Sequence, residues 1–344
     1  MGFLRLLLAS IVLTSHSQVT PVYTGVIAVE CFFVISGFYM QLIIRERYEA
    51  HADWQRKFWL SRCLRIFIPY WVVCIAIIGF SLHRHDTDFL SAFSNPLSFL
   101  SNVFILGTEH IKLWRLSDGC TSYYATRMFI PQIWSVGIEL IFYMMAPFLL
   151  TRSTAFLLVL TLLSLTGKAI LLHDYYDPAF NFECGDGLLN GIFPLEIGIF
   201  TCGALGYRFY HTYLKDKDYL AIRPMYKRLL VTLLLATLVF AIGLSDKFPS
   251  LFRITLAYVY VTIIAVCVPF LFHASRKMRL DRLMGELSYS FYLCHLYIVQ
   301  HFFSSPHGRY ITFPVYEAVT LACALVIHII VEKPLDALRH RYLR

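Results

Sequence analysis

In the stretch LTSHSQVTPVYTGVIAVECFFVISGF, residues 13–38, His16 and Glu30 interrupt sequence that is otherwise largely apolar. Arg5, Glu139, Lys168, Glu196, His295, Glu317 and His328 stand in similar surroundings elsewhere in the chain. An ionisable side chain costs at least about 2.5 kcal/mol at the centre of a bilayer, so each of these is a candidate site. A histidine oriented by a carboxylate is the arrangement of a general base, because the partner fixes the tautomer and stabilises the imidazolium. The same pair also serves a proton-coupled transporter, and the chemistry alone leaves that choice open. Arg5 precedes His16 by eleven residues, about 16 Å along a helix. One end of the first apolar segment is therefore basic and the other offers an imidazole. Glu30 and Glu139 each lie about eight residues, roughly 12 Å, inside the outer ends of their segments, which allows either to meet His16 in the outer half. Arg62 and Arg65, three residues apart, share one helical face, and two guanidinium forks on one face suit phosphates. The plainer alternatives are polar groups that tie helices together and arginines that snorkel to the membrane surface.

The elements that position these groups follow from composition. With 58% hydrophobic and 15% charged residues among 344, and a mean hydropathy of +0.62, the chain has too little polar surface for a water-soluble globule. Apolar runs of about 20 residues recur, each long enough to cross a hydrocarbon core as a helix. They lack the alternation of barrel strands. The expected fold is all-α: a polytopic transmembrane bundle of ten spans near 3–19, 24–44, 63–82, 131–151, 154–172, 187–207, 229–245, 252–272, 284–304 and 313–331, with no soluble domain. Basic clusters at 45–65, 208–228, 276–282 and 333–344 are cytoplasmic by the positive-inside rule, whereas the acidic connection HDYYDPAFNFECGD at 173–186 belongs outside. Both termini are then cytoplasmic, and the alternation closes only if 83–130 stays outside, which makes the piece 89–107 interfacial or re-entrant. The net charge of +8 is explained by orientation and by attraction to anionic lipid headgroups, with no need for a nucleic acid.

Several blocks resemble the acyltransferase 3 family of integral membrane acyltransferases. They are Arg5 with His16, AVECFFVISGF at 28–38, FWLSRCLRIFIPYW at 58–71, IWSVGIELIFYMMAPFLL at 133–150, MGELSYSFYLCHLYIV at 284–299 and VEKP at 331–334. Each block alone is weakly specific; their order along nearly the whole chain is strongly so. The resemblance implies a transmembrane acyltransferase domain over 1–335, followed by a short basic cytoplasmic tail at 336–344. It implies transfer of an acyl group, by default acetyl, from cytosolic acyl-CoA to a hydroxyl of an extracytoplasmic or exported carbohydrate, in the bacterial inner membrane. Acetyl-CoA is then a donor substrate and no permanently bound cofactor or metal is expected. On this reading Arg5, Arg62 and Arg65 bind the donor, His16 deprotonates the acceptor, and Glu30 or Glu139 orients the His16 ring. Ser288, Tyr289 and His295 are read as channel lining.

Glu30 stands where the family usually has aspartate, one methylene shorter, which weakens its claim on His16. Relatives often append an extracytoplasmic esterase domain, whereas this chain stops at Arg344, so it is expected to deliver the acyl group itself or to a separate partner. The competing class is a proton-coupled transporter or a flippase of a lipid-linked sugar, opposed by the lack of paired broken helices in two corresponding halves. Residues 1–17 also read as a signal peptide, and the resemblance argues that they are retained. Of nine cysteines only Cys120 and Cys184 fall in outer connections, where an oxidising compartment would let them pair.

Overall fold

The apolar runs fold as helices because a backbone in hydrocarbon must satisfy its own hydrogen bonds. The computed structural model describes residues 1–85, 96–105, 107, 128–174, 192–217, 224, 228, 231–233, 235–237, 250–301 and 309–342, and no strand occurs among them. The helices are α1 (Gly2–His16), α2 (Val22–Ile43), α3 (Trp54–His83), α4 (Pro96–Phe104), α5 (Trp134–Leu149), α6 (Thr154–Asp174), α7 (Phe193–Phe209), α8 (Ser250–Ser275), α9 (Arg279–His301), α10 (Arg309–Ile327) and α11 (Lys333–Tyr342). Large apolar side chains such as Ile75, Met144, Leu162, Leu163 and Ile330 point outward, each more than 60% exposed. Such outward faces suit lipid and would be a liability in water.

Contacts between neighbours give three helix pairs a relative direction. Phe3 N–H donates to Asp281 at 3.0 Å, and the rings of His16 and His295 lie 5.2 Å apart, so α1 and α9 run parallel. Phe33 stacks on Phe200 and Phe38 meets Tyr207 edge-on, so α2 and α7 are parallel as well. Thr161 bonds Thr201 at 2.7 Å while Arg208 reaches Thr154 at 2.8 Å, which makes α6 and α7 antiparallel. These directions are the ones an alternating in-and-out path requires.

Six helices are long and apolar enough to cross a membrane: Thr24–Tyr48, Trp54–His83, Pro131–Leu149, Thr154–Leu171, Thr255–Ser275 and Phe313–Arg339. The expected count of ten is not reached. The Gly2–His16 helix is apolar but has only 15 residues, about 22 Å. Phe193–Phe209 continues through Tyr210–Leu214 and is long enough, but Glu196, Arg208 and His211 make it too polar to join the six. Arg279–His301 carries too many polar residues to join the six. The expected span 229–245 lies largely outside the described residues, as do Cys120 and Cys184. Within 89–107 the helix Pro96–Phe104 has nine residues, about 13 Å, too short to cross. It docks on α3, where Tyr70 and Trp71 donate to the carbonyls of Asn102 and Val103 at 2.5 and 2.8 Å.

A close seam joins α2 to α7. A β-carbon at Gly37 would collide with the Phe200 carbonyl, and one at Gly203 with the Val34 carbonyl. Without side chains there, the two backbones touch, as small residues allow between membrane helices. Gly203→Leu should separate the helices and lower stability by about 1–3 kcal/mol, read as a fall in thermal unfolding temperature in detergent.

Candidate functional site

α1 is the axis of the site. Eleven residues at 100° each complete three turns plus about 20°, so Arg5 and His16 share one face of α1, with the buried Ala9 and Val12 between them.

At the Arg5 end the basic groups converge. Arg5 and Arg65 act on each other electrostatically, as do Arg62 and Arg65. Arg339 on α11 joins them, within the fields of Arg62 and Arg65, and its Nε and Nη2 donate to Ser61 at 3.2 and 3.0 Å. Arg62 is only 5% exposed, and its buried Nε has no hydrogen-bond partner. Among the described residues no carboxylate forms an ion pair with Arg5, Arg62 or Arg65. Arg339 is paired with Asp336, whose charge also acts on Arg65 together with those of Glu332 and Glu139; among the described residues Arg5 and Arg62 are left without a direct counter-ion, which costs free energy. The arrangement suits an anion with several phosphate oxygens.

Glu139 belongs to this end. Its Oε1 accepts from Ser36 Oγ and from Tyr143 OH, both at 2.5 Å, and its charge is felt by Arg5 and Arg65. Ser36 lies six residues beyond Glu30 on α2, so Glu139 sits about 9 Å further from the start of that helix than Glu30 does. It is deeper than sequence position suggests because α5 begins well inside the bundle. In its preceding turn, Pro131–Ile133, Gln132 and Ile133 are buried, and Gln132 Nε2 donates to the carbonyls of Tyr292 and Leu293 on α9, each at 3.1 Å.

Glu30 is engaged elsewhere. Lys168 Nζ on α6 donates to Glu30 at 2.6 Å and to Glu196 on α7 at 2.7 Å, with all three side chains at most 2% exposed. The ammonium also faces the Tyr258 ring of α8, 5.7 Å from its centroid. One cation thus ties four helices together around two buried carboxylates.

At the other end of the axis the His16 ring is half-buried and meets His295 at 5.2 Å, tilted by 34°. No described residue forms a hydrogen bond or ion pair with His16. His295 is wholly buried, and its Nδ1 lies 2.7 Å from the Tyr292 carbonyl. Tyr292 is itself fixed: its hydroxyl donates to the Gln132 carbonyl at 2.9 Å and bonds Ser135 Oγ at 2.8 Å. Glu317, the remaining acid beside α1, bonds Ser10, six residues before His16.

Of the residues singled out from sequence, the structure brings together Arg5, Arg62 and Arg65, with Glu139 beside them. It does not bring Glu30 or Glu139 to His16. His295, Arg339 and Lys168 are the neighbours that sequence reasoning did not place. Lys168 carries the clearest signal of the three, since a lone lysine inside an apolar span needs an acid on a facing helix. No cluster of three or more side chains able to hold a metal ion occurs among the described residues.

A family model described as an acyltransferase domain matches residues 3–332. No curated protein and no solved structure matches the chain.

Proposed function

The chain belongs to this acyltransferase family, and we propose that it moves an acyl group, by default acetyl, from cytosolic acyl-CoA to a hydroxyl of an extracytoplasmic carbohydrate. The observation that carries this reading is the shared face of α1, with guanidinium groups at one end and an imidazole at the other. An extended pantetheine arm of roughly 15–20 Å is comparable to the rise of about 16 Å between Arg5 and His16. A coenzyme A whose phosphates rest on Arg5, Arg62 and Arg65 would present its thioester near the His16 ring.

In the proposed reaction a His16 ring nitrogen takes the proton of the acceptor hydroxyl as its oxygen attacks the thioester carbonyl carbon. The carbon–sulfur bond breaks, and the leaving thiolate takes the proton back from the imidazolium. An ester and free coenzyme A result, and His16 ends neutral. Glu30 and Glu139 are held by other partners, so this proposal gives them supporting roles: Glu30 in the Lys168 cluster, Glu139 beside the arginines.

Purified protein given acetyl-CoA and membrane carbohydrate should release free coenzyme A, followed with a thiol reagent; an intact thioester would count against the reading. Arg62→Ala and Arg65→Ala should each weaken acyl-CoA binding. Losing one charge-assisted contact worth about 1.5–3 kcal/mol corresponds to a dissociation constant raised roughly 10- to 150-fold. Unchanged binding in both variants would remove the arginine cluster from the donor site.

A further inference from the structure

His16 needs a partner if it is to act as a base, and no described carboxylate touches it. Glu30 is bound to Lys168, Glu139 to Ser36 and Tyr143, and Glu317 to Ser10. The group that faces His16 is another imidazole. We infer that His295 is the positioning residue for His16, an inference that rests on the acyl-transfer reading above.

A carbonyl oxygen only accepts hydrogen bonds, so the 2.7 Å contact to the Tyr292 carbonyl puts the ring proton of neutral His295 on Nδ1. Its Nε2 is then a lone pair. That atom is buried and has no hydrogen-bond partner, which is costly unless something donates to it. At a centroid separation of 5.2 Å, two imidazoles turned edge to edge would bring their nitrogens to about 3 Å, the reach of an N–H···N hydrogen bond. Donation from one His16 nitrogen to His295 Nε2 leaves the other His16 nitrogen unprotonated and able to take the hydroxyl proton. When His16 becomes an imidazolium, His295 still accepts the same hydrogen bond.

The His295 ring has little freedom to adopt another role. Tyr292 is anchored to Gln132 and Ser135 on the α5 side, and Gln132 Nε2 donates to the same Tyr292 carbonyl that holds His295. The turn that begins α5 therefore supports the carbonyl that sets the His295 tautomer. Such an outer partner, which fixes a ring through its second nitrogen, commonly changes activity 10- to 100-fold when lost.

Two variants and two readouts test the inference. His295→Phe keeps an aromatic ring and removes the acceptor; His295→Gln offers an amide oxygen near the Nε2 position. In acetyl-CoA-dependent thiol release, His295→Phe should lower kcat about 10- to 100-fold with an unchanged KM for acetyl-CoA, and His295→Gln should recover much of it. By nitrogen-15 spectroscopy of labelled histidines in lipid nanodiscs, wild-type His295 should show the Nδ1–H tautomer. The His16 resonances should move in His295→Phe and return toward wild type in His295→Gln. Unshifted His16 resonances with kcat unchanged in His295→Phe would overturn the inference. So would equal losses in both variants with His16 unmoved, which would mark His295 as packing only. If His295→Phe does not accumulate, the same two readouts on His295→Gln decide: a wild-type His16 spectrum supports the pairing and a displaced one opposes it. If wild-type protein releases no thiol, the acyl-transfer reading fails, while the spectra still establish whether the two imidazoles pair.

Discussion

His16→Ala is expected to reduce acyl transfer by about 100- to 10,000-fold, the usual worth of a positioned general base. Protein abundance and acyl-CoA binding should stay near wild type. The selectivity follows from the layout of α1. His16 is the last residue of that helix, half-buried, and the one partner proposed to lose a hydrogen bond with it is His295 Nε2, at the end of the axis remote from the arginines. Arg5 is about three turns away, and the helix between them is held by the buried Leu8, Ala9, Val12 and Leu13, which the substitution does not touch. Calorimetric binding of acyl-CoA beside a turnover assay separates the two effects. Turnover that survives within a few-fold would remove His16 from the role of base.

Lys168→Met is expected to act on stability, and strongly. Its ammonium is the common partner of Glu30 and Glu196, at 2.6 and 2.7 Å, in a cluster at most 2% exposed. Removing the cation leaves two carboxylates facing each other across the seam of α2 and α7. Breaking a buried ion pair by deleting one partner typically costs about 3–5 kcal/mol. The thermal unfolding temperature in detergent should therefore drop sharply, together with the amount of protein recovered. Neutralising all three positions, as Lys168→Met with Glu30→Gln and Glu196→Gln, should restore much of the loss, because the penalty comes from uncompensated charge. Glu30→Gln alone should be mild by comparison, since Glu196 still holds the lysine. A Lys168→Met protein as stable as wild type would show that the cluster does not hold these helices together. Loss of turnover in the triple variant at wild-type stability would instead connect the cluster to the chemistry.

The contrast between Arg5 and Glu30 shows what the chain made legible. Arg5 and His16 share a helix, so their eleven-residue spacing alone defines both their separation and their common face. Arg62 and Arg65 were legible for the same reason, as neighbours on one face of α3. For Glu30, sequence gives a depth in the membrane and no azimuth. Its partner Lys168 stands 138 residues away on a helix whose rotation depends on packing. The depth of Glu139 is not legible, because the sequence does not reveal that α5 starts inside the bundle, after a turn in which Gln132 and Ile133 are buried. His295 had the correct depth to meet His16, but only the parallel packing of α1 and α9 shows that the rings face each other. The all-helical class was readable from apolar run lengths. The number of spans is harder to read, because α1 is short and α7 and α9 are polar for membrane helices.

The most direct test of the account is to supply acetyl-CoA labelled in its acetyl group to membranes carrying either wild-type protein or the His16→Ala variant, and to recover the carbohydrate fraction. The account predicts label that mild base releases as acetate, present with wild type and missing with His16→Ala at equal protein level. Carbohydrate left unlabelled by the wild type, or labelled equally by both proteins, would contradict it.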